Sequence, residues 1–198
     1  MRLAILISLA ALALGGTPAT DDDALVKCDV GPHGGYLVPV SYCEKHRADI
    51  LATLPDEPEV DGFWKVTEQI AIVADRNLRE TLEDAVKDPT LLFPDLTPGK
   101  DATLPDSLEY QRNELKAILD HYGTYHRQYV GLVVNGHEIV LLNYASGPQL
   151  DPAAGFLFIH RVFEAGKTRF LQARYYWDYD IKSIGNVSTY GSWQEGKD

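Results

Sequence analysis

The chain has 198 residues, and its 18 Lys and Arg against 29 Asp and Glu give a formal net charge of −11. That balance argues against nucleic acid and anionic membrane surfaces as partners, since both repel an acidic chain, and it leaves a neutral ligand, a basic partner or plain solubility. About 180 residues beyond the first apolar run are enough for one domain with its own core.

Met1 to Gly16 carries one early charge, Arg2, and then an apolar and small-residue run. The pattern is that of a signal peptide, and at about 14 residues the run falls short of the roughly 20 that a membrane-spanning helix needs. Cleavage is expected after Ala19 or near Gly15. Residues 1–19 are therefore read as a leader, and the mature chain as soluble and exported to the periplasm or the extracellular space, with no membrane span. The only two cysteines, Cys28 and Cys43, follow this leader, and an oxidising compartment lets disulfides persist, so the pair is expected to be bonded. Such a loop would constrain the unfolded chain by about 3 kcal/mol in the entropy model. Residues 20–60 then form a disulfide-stapled segment rich in Gly and Pro (Gly31, Pro32, Gly34, Gly35, Pro39).

Glu44 to Leu54 reads as a short helix stopped by the connector Pro55-Asp56-Glu57-Pro58-Glu59. From residue 61 to 198 the chain reads as a single α+β domain. Phe63 and Trp64 precede a long helix over Thr67 to Lys87, with Thr67 as N-cap, Glu68 at the positive end of the dipole, and Ile70, Ala74, Leu78, Leu82 and Val86 at spacing four. Asp88 to Pro105, with four prolines and one glycine, is a loop. Asp106 or Ser107 caps a second helix to Tyr122 whose stripe is Leu108, Leu115, Leu119 and Tyr122.

Strands follow. Arg127 to Val134 and His137 to Asn143 flank Asn135-Gly136, which suits a two-residue type I′ turn. Both faces of this hairpin are apolar, as for a central pair covered on two sides. Phe156 to Phe163 and Thr168 to Trp177 flank Glu164-Ala165-Gly166-Lys167 as a second hairpin, with Gln172 and Arg174 on its more polar side, nearer solvent or lining a groove. A short fifth strand fits Ile181 to Asn186. The expected fold is α+β, two helices packed on a four- or five-stranded antiparallel meander sheet.

The succession Phe63-Trp64 leading to Thr67, the helix pair, Arg127-Gln128-Tyr129-Val130-Gly131, Ile139 to Asn143 and a closing Gly185-Asn186 resembles a group of small exported bacterial proteins of uncharacterised function, over residues 60–187. Those proteins often carry Asp-Gly-Gly ahead of the last long strand, where this chain has Glu164-Ala165-Gly166. The resemblance implies export and supplies no catalytic residue.

No G-x-S-x-G elbow, P-loop, G-x-G-x-x-G fingerprint or H-E-x-x-H pair is found, which lowers the expectation of an enzyme, and no cofactor is expected. The histidines His33, His46, His121, His126, His137 and His160 do not fall at ligand spacing, so no metal is expected. The run Tyr175-Tyr176-Trp177-Asp178-Tyr179-Asp180 joins aromatic faces to carboxylates. Tyr175, Trp177, Asp178 and Tyr179 are the candidate ligand-binding residues for an exported protein, peptide or glycan, or else the cap of a core. The rival is a small hydrolase of cell-wall or glycan material, with an acid pair drawn from Glu138, Glu164, Asp178 and Asp180. Asn186-Val187-Ser188 matches a glycosylation acceptor.

Overall fold

The computed structural model describes residues 24–32, 34–52, 54, 59–146, 169–178 and 183–190. The leader, the connector at 55–58, the run 156–163 with its turn, Tyr179 and Asp180 lie outside the described residues.

Both long helices form where the spacing places them. The first, α3 (Glu68–Lys87), begins with the Thr67 hydroxyl accepting from Ile70 N, and Ala71, Ala74, Leu78, Leu82 and Ala85 are its buried face. The second, α4 (Leu108–Asp120), is capped in the same way by Ser107 on Tyr110 N and buries Leu115 and Ile118. Each cap supplies an acceptor for an amide that the first helical turn leaves unpaired. The short helix expected over 44–54 starts earlier and breaks at His46 into α1 (Val40–Lys45) and α2 (Arg47–Leu51).

The α+β class holds, but the sheet is larger than expected and mixed. Among the described residues it has seven strands: β1 (Val26–Cys28), β2 (Gly35–Leu37), β3 (Val60–Trp64), β4 (His126–Val134), β5 (His137–Ser146), β6 (Arg169–Tyr176) and β7 (Ser183–Tyr190). The order is β1-β2-β4-β5-β6-β7, with β3 also on β4. Asn135 and Gly136 take φ of 51° and 77°, so the β4–β5 turn is of the expected kind. β5 pairs directly with β6, antiparallel, and β6 with β7. The expectation of a purely antiparallel meander is corrected by β2, which runs parallel to β4 and pairs Gly35 with Arg127 and Leu37 with Tyr129. Three-residue strands are too short for an alternation to register, and a parallel partner far along the chain leaves no local turn signal.

One edge of β4 is shared end to end. β2 pairs with Arg127 to Tyr129, and β3 pairs antiparallel with Gly131 to Val134, so the two strand ends converge on Val130. They then part: β2 leads through Val38 and α1 to one face of the sheet, and β3 through Val66 and α3 to the other. Gly131 permits this junction, since a Cβ there would lie 2.2 Å from Trp64 O.

The expectation that the first hairpin is covered on both sides is met. Tyr129, Val140, Leu142 and Tyr144 join the core under α3 and α4, whereas Val130, Leu132, Ile139 and Leu141 join a second core with Val38, Cys43 and Ile50. This arrangement also corrects the disulfide. Cys28 belongs to the helix-side core and Cys43 to the opposite one, and both are free, buried thiols. The sheet stands between their environments. Burial, with Glu68 and Asp29 nearby, pushes Cys28 up to about 11, and burial with Glu44 pushes Cys43 up to about 12. The described residues of the 20–60 segment are held by strand pairing and core packing instead.

Candidate functional site

The densest polar cluster is on the helix side. Asp75, in the middle of α3, sits beside the buried Ala74 and Leu78, and its Oδ1 accepts from Arg127 Nε at 2.9 Å. Arg127 Nη1 and Nη2 donate to Tyr125 O and Tyr122 O at 2.7 and 2.8 Å. The Tyr122 and Tyr144 rings flank the guanidinium with centroids 5.0 and 5.2 Å from its carbon. Gly31, at φ +70°, closes over it, where a Cβ would meet Arg127 Cζ at 2.7 Å. Three phenols converge on the same carboxylate oxygen, Tyr144 at 2.7 Å, Tyr122 at 3.2 Å and Tyr129 at 3.4 Å.

Burial first, and then the Asp75 carboxylate, push the Tyr122 and Tyr129 phenols above their usual range. Burial also raises Tyr144, aided by the neighbouring phenols. Burial opposes the Arg127 charge, but Tyr144 and Asp75 outweigh it and hold the guanidinium protonated. All six of these guanidinium and phenol contacts are donations, and each has an acceptor inside the fold. The arrangement ties α3 to β4, β5 and the N-terminal turn. Sequence reading passed over Asp75; its signal was a lone acid adjoining the apolar stripe of α3.

A second polar group lies on the opposite face. Gln128, Asn143 and Gln172 are register neighbours across β4, β5 and β6, and Arg174 lies two residues further along β6. All four are buried, which corrects the expectation of a solvent-near or groove-lining position for Gln172 and Arg174. Asn143 Nδ2 donates to Gln128 Oε1 at 3.1 Å. Gln128 Nε2 and Asn143 Oδ1 are left without a partner.

The predicted aromatic edge is divided by burial. Tyr175 is 1% exposed and is part of the helix-side core, so it presents no face to a ligand. Trp177 is half-buried against that core, with its ring centroid 6.2 Å from that of Tyr175. Asp178 is exposed and lies 3.4 Å from His137 Nδ1, and Tyr179 is outside the described residues. Of the four acids, Glu138 and Asp178 are neighbours through Trp177, whose amide donates to Glu138 O at 3.2 Å; Glu164 and Asp180 lie outside the described residues. His33 and His160 also fall outside, and among the described residues no three His, Cys, Asp or Glu side chains group as metal ligands.

A further site lies in the gap where β2 and β3 part. A groove of about 540 Å³ is lined there by Ala24, Val26, Leu37, Val38, Pro39, Val40, Ser41, Lys65 and Val66. Val26, on the outer strand β1, is 53% exposed, although it is β-branched and apolar. Lys65, exposed just past the end of β3, is the one charged side chain among the described residues of this lining. Sequence reading missed the groove because its walls come from three short segments that only the shared edge of β4 brings together.

Comparison of the chain with protein-family models, with curated proteins and with solved structures finds no match.

Proposed function

We propose that the protein is an exported, non-catalytic binding domain that takes an extended peptide segment of a partner protein into the groove between the ends of β2 and β3. The observation that carries this reading is the groove itself, about 540 Å³ of mostly apolar lining beside an outer strand. Its size lies within the range of roughly 300–1,000 Å³ common for ligand pockets. An outer strand offers unpaired backbone groups to an extended chain, and the adjoining apolar wall would receive alternate side chains. A glycan suits this lining less well, because buried sugar hydroxyls need polar partners. Neither Glu138 nor Asp178 lines the groove, so the hydrolase reading gains no support from it. Export rests on the leader at residues 1–19 and places the partner in the periplasm or outside the cell.

Selection of displayed random peptides against the purified chain, followed by titration of the winners, tests the reading. Val26→Glu introduces a charge at an exposed position without disturbing the core, and it is expected to weaken the selected peptides by about ten-fold or more. Failure to enrich any peptide, or affinities unchanged by Val26→Glu, would overturn the proposal.

A further inference from the structure

The connection between α3 and α4, residues 88–107, contains one 3₁₀ turn at Pro89–Leu91 and otherwise no helix or strand, yet its own groups hold it in shape. Thr103 N and Oγ1 donate to Asp101 Oδ1 at 2.9 and 2.8 Å, Gln111 Nε2 of α4 donates to Pro105 O at 2.6 Å, and Leu92 and Phe93 pack against the helix-side core. A long connection built in this way is commonly a binding element. It bounds a cavity of about 540 Å³ whose apolar lining is Leu92, Phe93, Pro94, Leu96 and Pro105.

Asp95, Lys100, Asp106 and Gln111 complete the lining. Lys100 Nζ donates to Asp106 Oδ2 at 2.5 Å, so that cation is already matched. Asp95 is exposed and forms no ion pair with another described residue. The lining therefore carries one uncompensated negative charge, on a chain whose net charge of −11 draws cations toward it and repels anions. Apolar walls with an aromatic ring beside a carboxylate suit a cation on an apolar stem, since the stem lies along the walls while the ring and the carboxylate attract the charge. A guanidinium fits better than an ammonium, because it is planar and more weakly hydrated and gives up less on leaving water.

The apolar surface continues past the cavity. Leu91 and Leu104, each next in sequence to a lining residue, are 61% and 45% exposed. A small cation filling the cavity would leave both leucines in water, whereas a protein surface carrying the same cation covers them as well. We infer that this cavity takes the side chain of an Arg on a partner protein, with its methylene stem against Leu92, Phe93 and Leu96, its guanidinium on Asp95, and the apolar neighbours of that Arg on Leu91 and Leu104. No residue of this lining is shared with the groove between β2 and β3, so the site stands or falls independently of the peptide reading there.

Nuclear magnetic resonance of the isotopically labelled full chain tests it, followed at the backbone amides of Leu92, Phe93, Leu96 and Gln111. The probes are a tripeptide Leu-Arg-Leu capped at both ends, the same peptide with citrulline, which keeps the shape of Arg without its charge, and propylguanidinium, the bare side chain. Saturable shifts are expected with the Arg peptide, with the citrulline peptide about five-fold weaker at low salt, as for the loss of one surface ion pair, and with propylguanidinium weaker than the Arg peptide. Asp95→Asn should bring the Arg peptide down to the level of the citrulline peptide. The comparison of probes on the unaltered chain decides the matter even if that variant does not fold. Absence of saturable shifts, equal affinity for the citrulline peptide, or an Arg affinity untouched by Asp95→Asn would overturn the inference. Propylguanidinium binding as tightly as the tripeptide would overturn the protein partner and assign the cavity to a free organic cation.

Discussion

Asp75 and Arg127 are 52 positions apart in the chain, yet Asp75 Oδ1 and Arg127 Nε lie 2.9 Å apart, with the Arg127 side chain wholly buried and Asp75 15% exposed. Breaking a buried pair from one side strands a charge, which typically costs about 3–5 kcal/mol. Asp75→Ala is expected to destabilise the chain by that amount in urea denaturation. Asp75→Ala combined with Arg127→Met should cost less than the sum of the two single changes, because the members share partners. A loss under about 1 kcal/mol for Asp75→Ala would show that the cluster does not hold α3 to the sheet.

Alkali should weaken the fold. Cys28 and Cys43 are raised from an ordinary 9.0 to about 11 and about 12, so the unfolded chain loses these protons first. Their contribution is complete below the unfolded value and is lost as pH rises from about 9 through the folded values. The phenols of Tyr122, Tyr129 and Tyr144, raised from 10.0, act in the same direction at higher pH. The urea midpoint should fall steadily between about pH 8 and about pH 10.5. A flat profile would contradict the burial of these groups.

The two thiols should be silent in the native protein. Both are buried and held protonated, and the thiolate is the reacting species. A colorimetric thiol reagent at neutral pH is expected to report no reaction in buffer and two equivalents in denaturant. Two unreactive equivalents in denaturant would mean a disulfide, and the fold of residues 24–45 would need revision.

Gly131 and Gly62 provide a matched pair. A Cβ at Gly131 would lie 2.2 Å from Trp64 O and 2.9 Å from Trp64 C, whereas at Gly62 nothing lies within 4 Å. Gly131→Ala has to push β3 off β4 and is expected to cost at least the roughly 1–3 kcal/mol of an overpacked core. Gly62→Ala should change stability by no more than about 0.5 kcal/mol. Equal melting temperatures for the two variants would place β3 elsewhere.

Trp177 is half-buried against the helix-side core, beside the fully buried Tyr175. Trp177→Ala should therefore lower stability measurably, by less than the roughly 3–5 kcal/mol of a fully buried aromatic. A thermal melt unchanged by the substitution would detach the ring from the core and return it to the ligand-binding residues.

What the sequence determined alone were features whose causes lie within a few residues. Thr67 and Ser107 cap the helices, spacing four aligns Ala74, Leu78 and Leu82, and Asn135-Gly136 turns β4 into β5. Capping and turn chemistry are local, so they can be read without knowing what packs where. The tertiary structure decided everything that depends on which distant segments meet. It placed β2 parallel to β4, set Cys28 and Cys43 in different cores, and brought Asp75 to Arg127. It also set Gln128 beside Asn143 with two amide atoms unmet, and opened a groove between strand ends drawn from both sides of α1 and α2. A short strand or a lone polar residue gains its partner only when the sheet closes around it, and that free energy belongs to no single stretch of chain.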